Sequence, residues 1–119
     1  MNALGIDLVS LSRIEPWVRD SMMLEKVFTD NEILYCLKKR CPQKLLAAFF
    51  AAKEAVMKAI GTGWGGGVEW KDIEVINEND AFSIKLYNKA RELCINKKIF
   101  VSVSCADTLA IATVVISPA

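Results

Sequence analysis

The chain has 119 residues, of which 53% are hydrophobic and 24% are charged, a composition that excludes disorder and predicts a single domain over residues 1–119. Its net charge of +1 provides no global basic field, so we expect no nucleic-acid binding. No apolar run approaches the roughly 20 residues of a membrane helix, and the first residues lack the features of a secretory signal, so we expect a cytoplasmic protein without a membrane partner.

The chain contains no histidine, and its four cysteines form no CxxC pair. The missing histidine excludes a Ser-His-Asp or Cys-His catalytic site, and these residue types and spacings do not suit zinc. We expect the cysteines to be reduced, small and partly buried. Acid–base chemistry would therefore fall to carboxylates, lysines, tyrosines, a metal-bound water or the substrate itself.

The chain begins with a segment whose residues alternate in the manner of a β-strand, over residues 3–11. Asp7 lies on one face of this strand, and the other face is apolar. Ser12 offers a helix N-cap, and Pro16 is tolerated only in a first turn. A short helix is therefore expected over about 13–24.

Two further helices are predicted in the middle of the chain. “FTDNEILYCLKKR” holds a capping box in which Thr29 caps the start and Glu32 reaches back, and that helix should end near Arg40 because a proline follows shortly. The next helix should cover about 43–60, where apolar residues recur at helical spacing and six alanines make the helix slim. Gly61 stands where a left-handed C-terminal cap is expected.

The second half of the chain is rich in strand patterns. Residues 72–76 and 82–86 are predicted as partner strands that lead into a helix near 86–97. Residues 99–104 and 109–116 should form two strands joined by a short hairpin connection. Together these elements predict an α+β fold, in which an antiparallel sheet packs against one long helix.

The long helix carries the first candidates for chemistry. Glu54, Lys58 and Gly61 share a helical face because they are spaced by four and then three residues. Such a Glu-Lys pair is also common on surfaces without any function, but here the loop “GTGWGGG” follows, and its backbone N–H groups can cradle phosphate oxygens. Asp7 is either a structural aspartate or a second carboxylate for Mg²⁺, which one or two carboxylates and substrate phosphates typically hold.

The final hairpin, “VSVSCADTLAIA”, carries the remaining candidates. Ser102 and Ser104 lie on one face of a predicted strand, and Cys105 begins the turn. Taken alone, this pattern is typical of an ordinary edge hairpin.

Five segments carry a resemblance to a known family: “GIDLVSLSRIE”, “FTDNE”, “FFAAKEAVMKAIGTGWGGG”, “WKDIEV” and “VSVSCADTLAIATVVI”. In this order they resemble the holo-acyl-carrier-protein synthases, the small bacterial type of 4′-phosphopantetheinyl transferase, from about residue 4 to 116. That family transfers 4′-phosphopantetheine from coenzyme A to a serine of apo-acyl carrier protein, uses Mg²⁺ and releases adenosine 3′,5′-bisphosphate. The resemblance implies the 4′-phosphopantetheinyl transferase fold and a homotrimer with coenzyme A sites between subunits.

The resemblance also implies roles for single residues. Asp7 and Glu54 would hold Mg²⁺ on the coenzyme A diphosphate, and Glu54, directly or through a metal-bound water, would be the base for the incoming serine. Lys58 would neutralise the diphosphate, and Arg13 would face the acidic carrier protein. The residues expected to bind coenzyme A are Lys58, Gly61, Thr62, Gly63, Ser104 and Cys105. The resemblance thus explains the lysines and the glutamate of this helix, Lys53 included, by a diphosphate and a metal that bind at the end of the helix.

Three positions depart from the family pattern. Phe49 replaces the arginine of “RFAAKEA”, Cys105 replaces the histidine of “SxSH”, and “NENDAFSI” stands in place of a “GxP” segment. Each lost polar contact would weaken coenzyme A binding by an order of magnitude or more, at about 1–3 kcal/mol per hydrogen bond. We expect a working transferase with altered coenzyme A affinity or a specialised carrier protein. The alternative is a degenerate paralogue that binds coenzyme A or a carrier protein without catalysis.

Overall fold

The computed structural model describes residues 2–61 and 66–119. Its elements, in chain order, are β1 (Ala3–Ser10), α1 (Leu11–Ile14), a 3₁₀ segment (Glu15–Arg19), α2 (Ser21–Val27), α3 (Asp30–Leu37), α4 (Pro42–Ile60), a 3₁₀ turn (Trp70–Asp72), β2 (Ile73–Glu78), β3 (Ala81–Leu86), α5 (Asn88–Leu93), β4 (Lys97–Cys105) and β5 (Leu109–Pro118). No helix within the described residues is long and apolar enough to cross a membrane. The predicted α+β fold with a long helix is confirmed.

The five strands form two antiparallel sheets. In the larger sheet β5 lies between β1 and β4, while β2 and β3 pair separately. The β2–β3 turn places Asn79 and Asp80 at φ values of 51° and 62°, which are the left-handed values that a two-residue type I′ hairpin requires. The predicted hairpin between the last two strands is also present, with Cys105 opposite Ala110.

Helix α4 packs against the inner face of the larger sheet at very short range. A Cβ atom built on Gly5 would lie 1.9 Å from the carbonyl oxygen of Ala55, so the side-chain-free residue allows β1 and α4 to touch backbone to backbone. The alanines of α4 are buried, as expected of a slim helix. This contact sets Asp7, two residues further along the same face of β1, against the C-terminal half of α4.

The helical segment after β1 differs from the prediction of one helix over 13–24. It is broken into α1, a 3₁₀ segment and α2. Pro16 lacks an N–H for helical hydrogen bonding, and the Asp20 carboxylate accepts from the backbone N–H of Met23 at 3.1 Å and starts α2. Ser12 is not the N-cap: its hydroxyl lies 2.7 Å from that of Ser10 instead.

The other helices show two of the predicted end signals and two ends that differ from the prediction. The capping box is present, with Thr29 Oγ1 accepting from Glu32 N at 3.2 Å and Glu32 Oε1 accepting from Thr29 N at 2.9 Å. Helix α3 stops at Leu37, earlier than expected, and α5 is confined to Asn88–Leu93. Gly61 ends α4 with a φ of 82°, as predicted for a left-handed cap.

A buried ion pair occupies the free edge of β2. Lys53 Nζ donates to Glu32 Oε1 at 2.7 Å and to the carbonyl oxygen of Ile73, and Glu32 Oε2 accepts from Val75 N at 2.7 Å. Both side chains are 0% exposed. They therefore form hydrogen bonds with the Ile73 carbonyl oxygen and the Val75 N–H, which would otherwise need an adjacent strand as their partner. The expectation that Lys53 serves a diphosphate is wrong, because its side chain faces the core.

Candidate active site

The exposed end of α4 meets β1 through an ion pair. Lys58 Nζ lies 2.8 Å from Asp7 Oδ1 and 3.1 Å from the carbonyl oxygen of Ile6. The hydrogen bond to Asp7 raises the pKa of Lys58, so its ammonium group is charged at neutral pH. A fixed positive charge thus stands over this edge of the sheet.

Glu54 lies one helical turn before Lys58 and is half-buried. Burial raises the pKa of Glu54, the charge of Asp7 raises it further, and the charges of Lys58 and Arg13 oppose the shift. Asp7 and Glu54 therefore face the same space and repel each other. We call Asp7, Glu54 and Lys58 the charged site; the structure brings these three predicted residues together.

Two neighbouring carboxylates, one on β1 and one on α4, form an oxygen donor set that suits a hard cation. Among residues 2–61 and 66–119 there is no group of three or more cysteine and acidic side chains close enough to enclose a metal. Mg²⁺ commonly takes only one or two protein carboxylates, with waters and substrate phosphates as its other ligands. Asp7 and Glu54 fit such a site. Thr62 and Gly63, which were expected to line the nucleotide pocket, lie outside the described residues.

Arg13 lies closer to the charged site than its predicted role suggested. Its guanidinium carbon stands 5.2 Å from the centroid of the Phe50 ring. Phe50 precedes Glu54 by one helical turn, so Phe50, Glu54 and Lys58 follow one another along the same face of α4. The sequence placed Arg13 on a carrier-protein surface, and the contact with Phe50 was not foreseen.

The structure does not bring Ser104 and Cys105 to the charged site. They end β4, which β5 separates from β1, so the two outer strands are about 10 Å apart. Cys105 instead lies near Lys44 at the start of α4. Lys44 and Glu54 are ten residues apart on this helix, which is about 15 Å along its axis. One chain therefore carries two separate groups of predicted site residues.

Cys105 borders a cavity of about 280 Å³ that we call the lysine cavity. Its walls are Lys39, Cys41, Lys44, Leu45, Ala48, Phe82, Val103 and Cys105. Burial raises the pKa of the Cys105 thiol, against the opposing charge of Lys44, so the thiol is neutral at neutral pH. The two lysines were missed in the sequence, although the basic run “KKRCPQK” was an available signal.

Phe49, which stands in place of the family's arginine, is buried. Its ring stacks on Tyr35 with centroids 5.9 Å apart and meets Phe82 edge-on at 6.0 Å. The aromatic side chain therefore strengthens the core behind the lysine cavity and presents no polar group to it.

The outer face of the larger sheet, which points away from α4, is apolar over much of its area. Leu4, Ile6 and Leu8 are 60%, 48% and 57% exposed, and Phe100 is 57% exposed. The strand register aligns Leu8 with Ile111 and then with Ser104, so Ser104 lies at the border of this patch. Contiguous apolar surface of this kind usually marks an interaction site.

The sequence as a whole matches the model of the 4′-phosphopantetheinyl transferase superfamily over residues 3–114. The chain belongs to this superfamily. A holo-[acyl-carrier-protein] synthase of Geotalea daltonii is 38% identical over 118 residues, which cover 94% of each chain. The predicted membership of the holo-acyl-carrier-protein synthases, which are transferase enzymes, is confirmed.

Solved structures of holo-acyl-carrier-protein synthases share the fold of this chain. The Helicobacter pylori protein, solved in complex with coenzyme A, superposes with a TM-score of 0.82 at 34% identity and covers 96% of this chain and 99% of its own. The Bacillus anthracis protein, in complex with coenzyme A (3′,5′-ADP), gives a TM-score of 0.82 at 30% identity, with 98% and 96% coverage. The predicted 4′-phosphopantetheinyl transferase fold is confirmed.

Proposed function

We propose that this chain, acting as one domain over residues 1–119, transfers 4′-phosphopantetheine from coenzyme A to a serine of an apo-acyl carrier protein. The reaction depends on Mg²⁺ and releases adenosine 3′,5′-bisphosphate. The observation that carries this proposal is the charged site, where Asp7, Glu54 and Lys58 converge in a holo-acyl-carrier-protein synthase fold. The cytoplasmic location stays a prediction.

The proposed reaction is an attack by the carrier serine on the phosphorus that bears pantetheine. A bond forms between the serine Oγ and this phosphorus, the bond to the bridging oxygen breaks, and its electron pair leaves on adenosine 3′,5′-bisphosphate. The serine proton passes to the Glu54 carboxylate, directly or through a metal-bound water. Lys58 neutralises charge on the diphosphate.

Asp7 and Glu54 would together hold the Mg²⁺. When bound, Mg²⁺ supplies charge neutralisation and a fixed orientation for the diphosphate. Burial, and after it the charge of Asp7, raises the pKa of Glu54, and a divalent cation would relieve the repulsion between the two carboxylates.

We further propose a homotrimer in which each coenzyme A lies between two subunits. Within one chain the charged site and the lysine cavity lie apart. A neighbouring subunit would bring its own lysine cavity to the charged site, and this supports the arrangement. The apolar outer face supports the trimer as well, because it offers a surface for contact between subunits. Leu8 and Ser104 lie in one row of the strand register on this face. In this arrangement the charged site of one subunit takes the diphosphate, and the lysine cavity of its neighbour takes the nucleotide end.

The lysine cavity would then compensate for the departures at Phe49 and Cys105. Lys39 and Lys44 supply positive charge at a cavity with largely apolar walls. The nucleotide end of coenzyme A presents an aromatic base and a 3′-phosphate, which match an apolar wall and two ammonium groups. We therefore propose that these lysines take over the phosphate contacts of the family's arginine and histidine.

The test is intact-mass analysis of several apo-acyl carrier proteins incubated with the protein, coenzyme A and Mg²⁺. A mass gain of one phosphopantetheine is expected, and it should be lost with EDTA and with Glu54→Gln. Glu92→Gln, at an exposed position on α5, is the matched control and should retain activity. No gain on any carrier protein would contradict the proposal and favour a binding-only protein.

A further inference from the structure

The Arg13 side chain is exposed but rests on an aromatic cluster. Its guanidinium carbon lies 5.2 Å from the centroid of the Phe50 ring. Phe50 is only 2% exposed, and its ring meets Trp17 edge-on at 5.1 Å and Trp70 at 5.3 Å with a tilt of 40°. The ring under the guanidinium is thus held from two sides and cannot turn away.

The same contact brings Arg13 to the charged site. Phe50 and Glu54 are one turn apart on α4, and Arg13 lies within electrostatic reach of Glu54. Positive and negative side chains therefore alternate here. Arg13 of α1 lies near Glu54 of α4, and Lys58 of α4 pairs with Asp7 of β1. Arg13 is thus an exposed residue of α1 whose charge acts on the Glu54 carboxylate of the charged site.

An exposed arginine normally samples many rotamers, and a partner that binds it must restrict them. Arginine stacks well on aromatic faces, because the guanidinium is planar, cationic and weakly hydrated. A guanidinium that already rests on a fixed ring keeps its outward edge free for a carboxylate. Its position is then set relative to Glu54 before any partner arrives.

We propose that Phe50 is a positioning residue, whose braced ring holds the Arg13 guanidinium beside Glu54 so that an acidic carrier protein docks with its serine directed at the charged site. This inference rests on the proposed transferase function. It adds a buried residue that acts through Arg13. Removal of the ring should weaken carrier recognition without affecting coenzyme A.

The test combines kinetics of Phe50→Leu, Arg13→Ala and the double variant. Phe50→Leu should raise the KM for the carrier protein about two- to five-fold, the range of an exposed cation–π contact, and leave the KM for coenzyme A unchanged. In the Arg13→Ala background the same substitution should have no further effect on carrier KM. Equal increases in both KM values, or additive effects of the two substitutions, would overturn the proposal.

Val56→Ala is the matched control for lost packing. Val56 lies on α4 and is 0% exposed. It should lower the melting temperature without changing carrier KM; a carrier-KM increase as large as that of Phe50→Leu would show that packing loss alone suffices. If Phe50→Leu does not fold, Phe50→Met fills the volume without an aromatic face and takes its place.

A second readout does not depend on activity. Stacking on Phe50 should shift the Arg13 side-chain proton resonances upfield, and the shift should vanish in the Phe50 variant. If the Arg13 side-chain protons of the wild-type protein show no upfield shift, the positioning role is overturned even if transfer occurs. A wild-type protein with the ring-current shift but without transfer to any carrier would instead contradict the proposed function.

Discussion

Replacing Lys53 by methionine should destabilise the fold severely, although methionine resembles the lysine side chain in length. The change removes the only side-chain cation that the described structure places on Glu32, at 2.7 Å, and the donor to the Ile73 carbonyl oxygen. Breaking a buried ion pair by removing one partner costs about 3–5 kcal/mol. That is a large part of the roughly 5–15 kcal/mol by which a domain of this kind is stable.

The cost should depend on pH in a defined direction. Burial raises the pKa of Glu32 above its ordinary value, even with Lys53 opposing. Without Lys53 the folded state would bind the Glu32 proton still more tightly than the unfolded state does, so stability falls as pH rises above the unfolded pKa. The loss caused by Lys53→Met should therefore be smaller in acid, where the cost of the missing hydrogen bond to the Ile73 carbonyl oxygen remains, and grow towards neutral pH.

Adding Glu32→Gln to Lys53→Met should recover part of the loss. The double variant carries no buried charge, and the glutamine carbonyl can still accept from Val75 N. A recovery of at least about 1–2 kcal/mol is expected, because the unpaired charge is the main cost of the single variant.

Urea denaturation followed by tryptophan fluorescence, at about pH 5 and about pH 8, measures these free energies of unfolding. Lys85→Met, at an exposed lysine of β3, is the control and should change little. An equal cost of Lys53→Met at both pH values, or a double variant less stable than the single one, would contradict this role of Lys53.

Single substitutions at four other positions test the packing of β1, the metal site, the lysine cavity and the trimer. Gly5→Ala should cost at least about 1–3 kcal/mol, because its Cβ would lie 1.9 Å from the Ala55 carbonyl oxygen; an unchanged melting temperature would contradict that close approach. Glu54→Gln should raise the melting temperature at neutral pH without metal, because burial and Asp7 raise the pKa of Glu54 and the ionised carboxylate disfavours folding above its unfolded pKa. The same variant should lose the stabilisation that Mg²⁺ gives the wild type, and a wild-type melting temperature indifferent to Mg²⁺ would refute the metal site. Lys44→Ala should raise the KM for coenzyme A about tenfold and affect 3′-dephospho-coenzyme A less; equal effects would argue against a phosphate contact. Phe100→Glu should dissociate the proposed trimer, which light scattering measures, and abolish transfer; an active monomer would place the whole site in one chain.

The local features of this protein were accessible from the sequence. The alternation of β1, the capping box at Thr29 and the glycine cap at Gly61 each depend on residues within a few positions of one another. The same holds for Glu54 and Lys58, whose shared face follows from helical spacing. The break at Pro16 and Asp20 was missed, although the signals for it were local: Pro16 also fits the first turn of a helix, and the N-cap role of Asp20 was overlooked.

The placement of Lys53 and of the lysine cavity could not be deduced in this way. Lys53 follows the same spacing rules as its neighbours, and its burial depends on Glu32 and Ile73, which are 21 and 20 residues away in the chain. The cavity likewise joins Lys44 to Cys105 across about half of the sequence. Helical or strand periodicity does not predict contacts between residues so far apart in the sequence.

Most helix and strand positions, the family and the shared face of Glu54 and Lys58 can be read from the chain alone. The packed fold is needed to place Lys53 in the core, Arg13 on the Phe50 ring, and Cys105 far from Asp7 within one chain. Helical and strand periodicity arises from neighbouring residues. The burial and pairing of a charged side chain depend instead on partners that only the packed fold brings near.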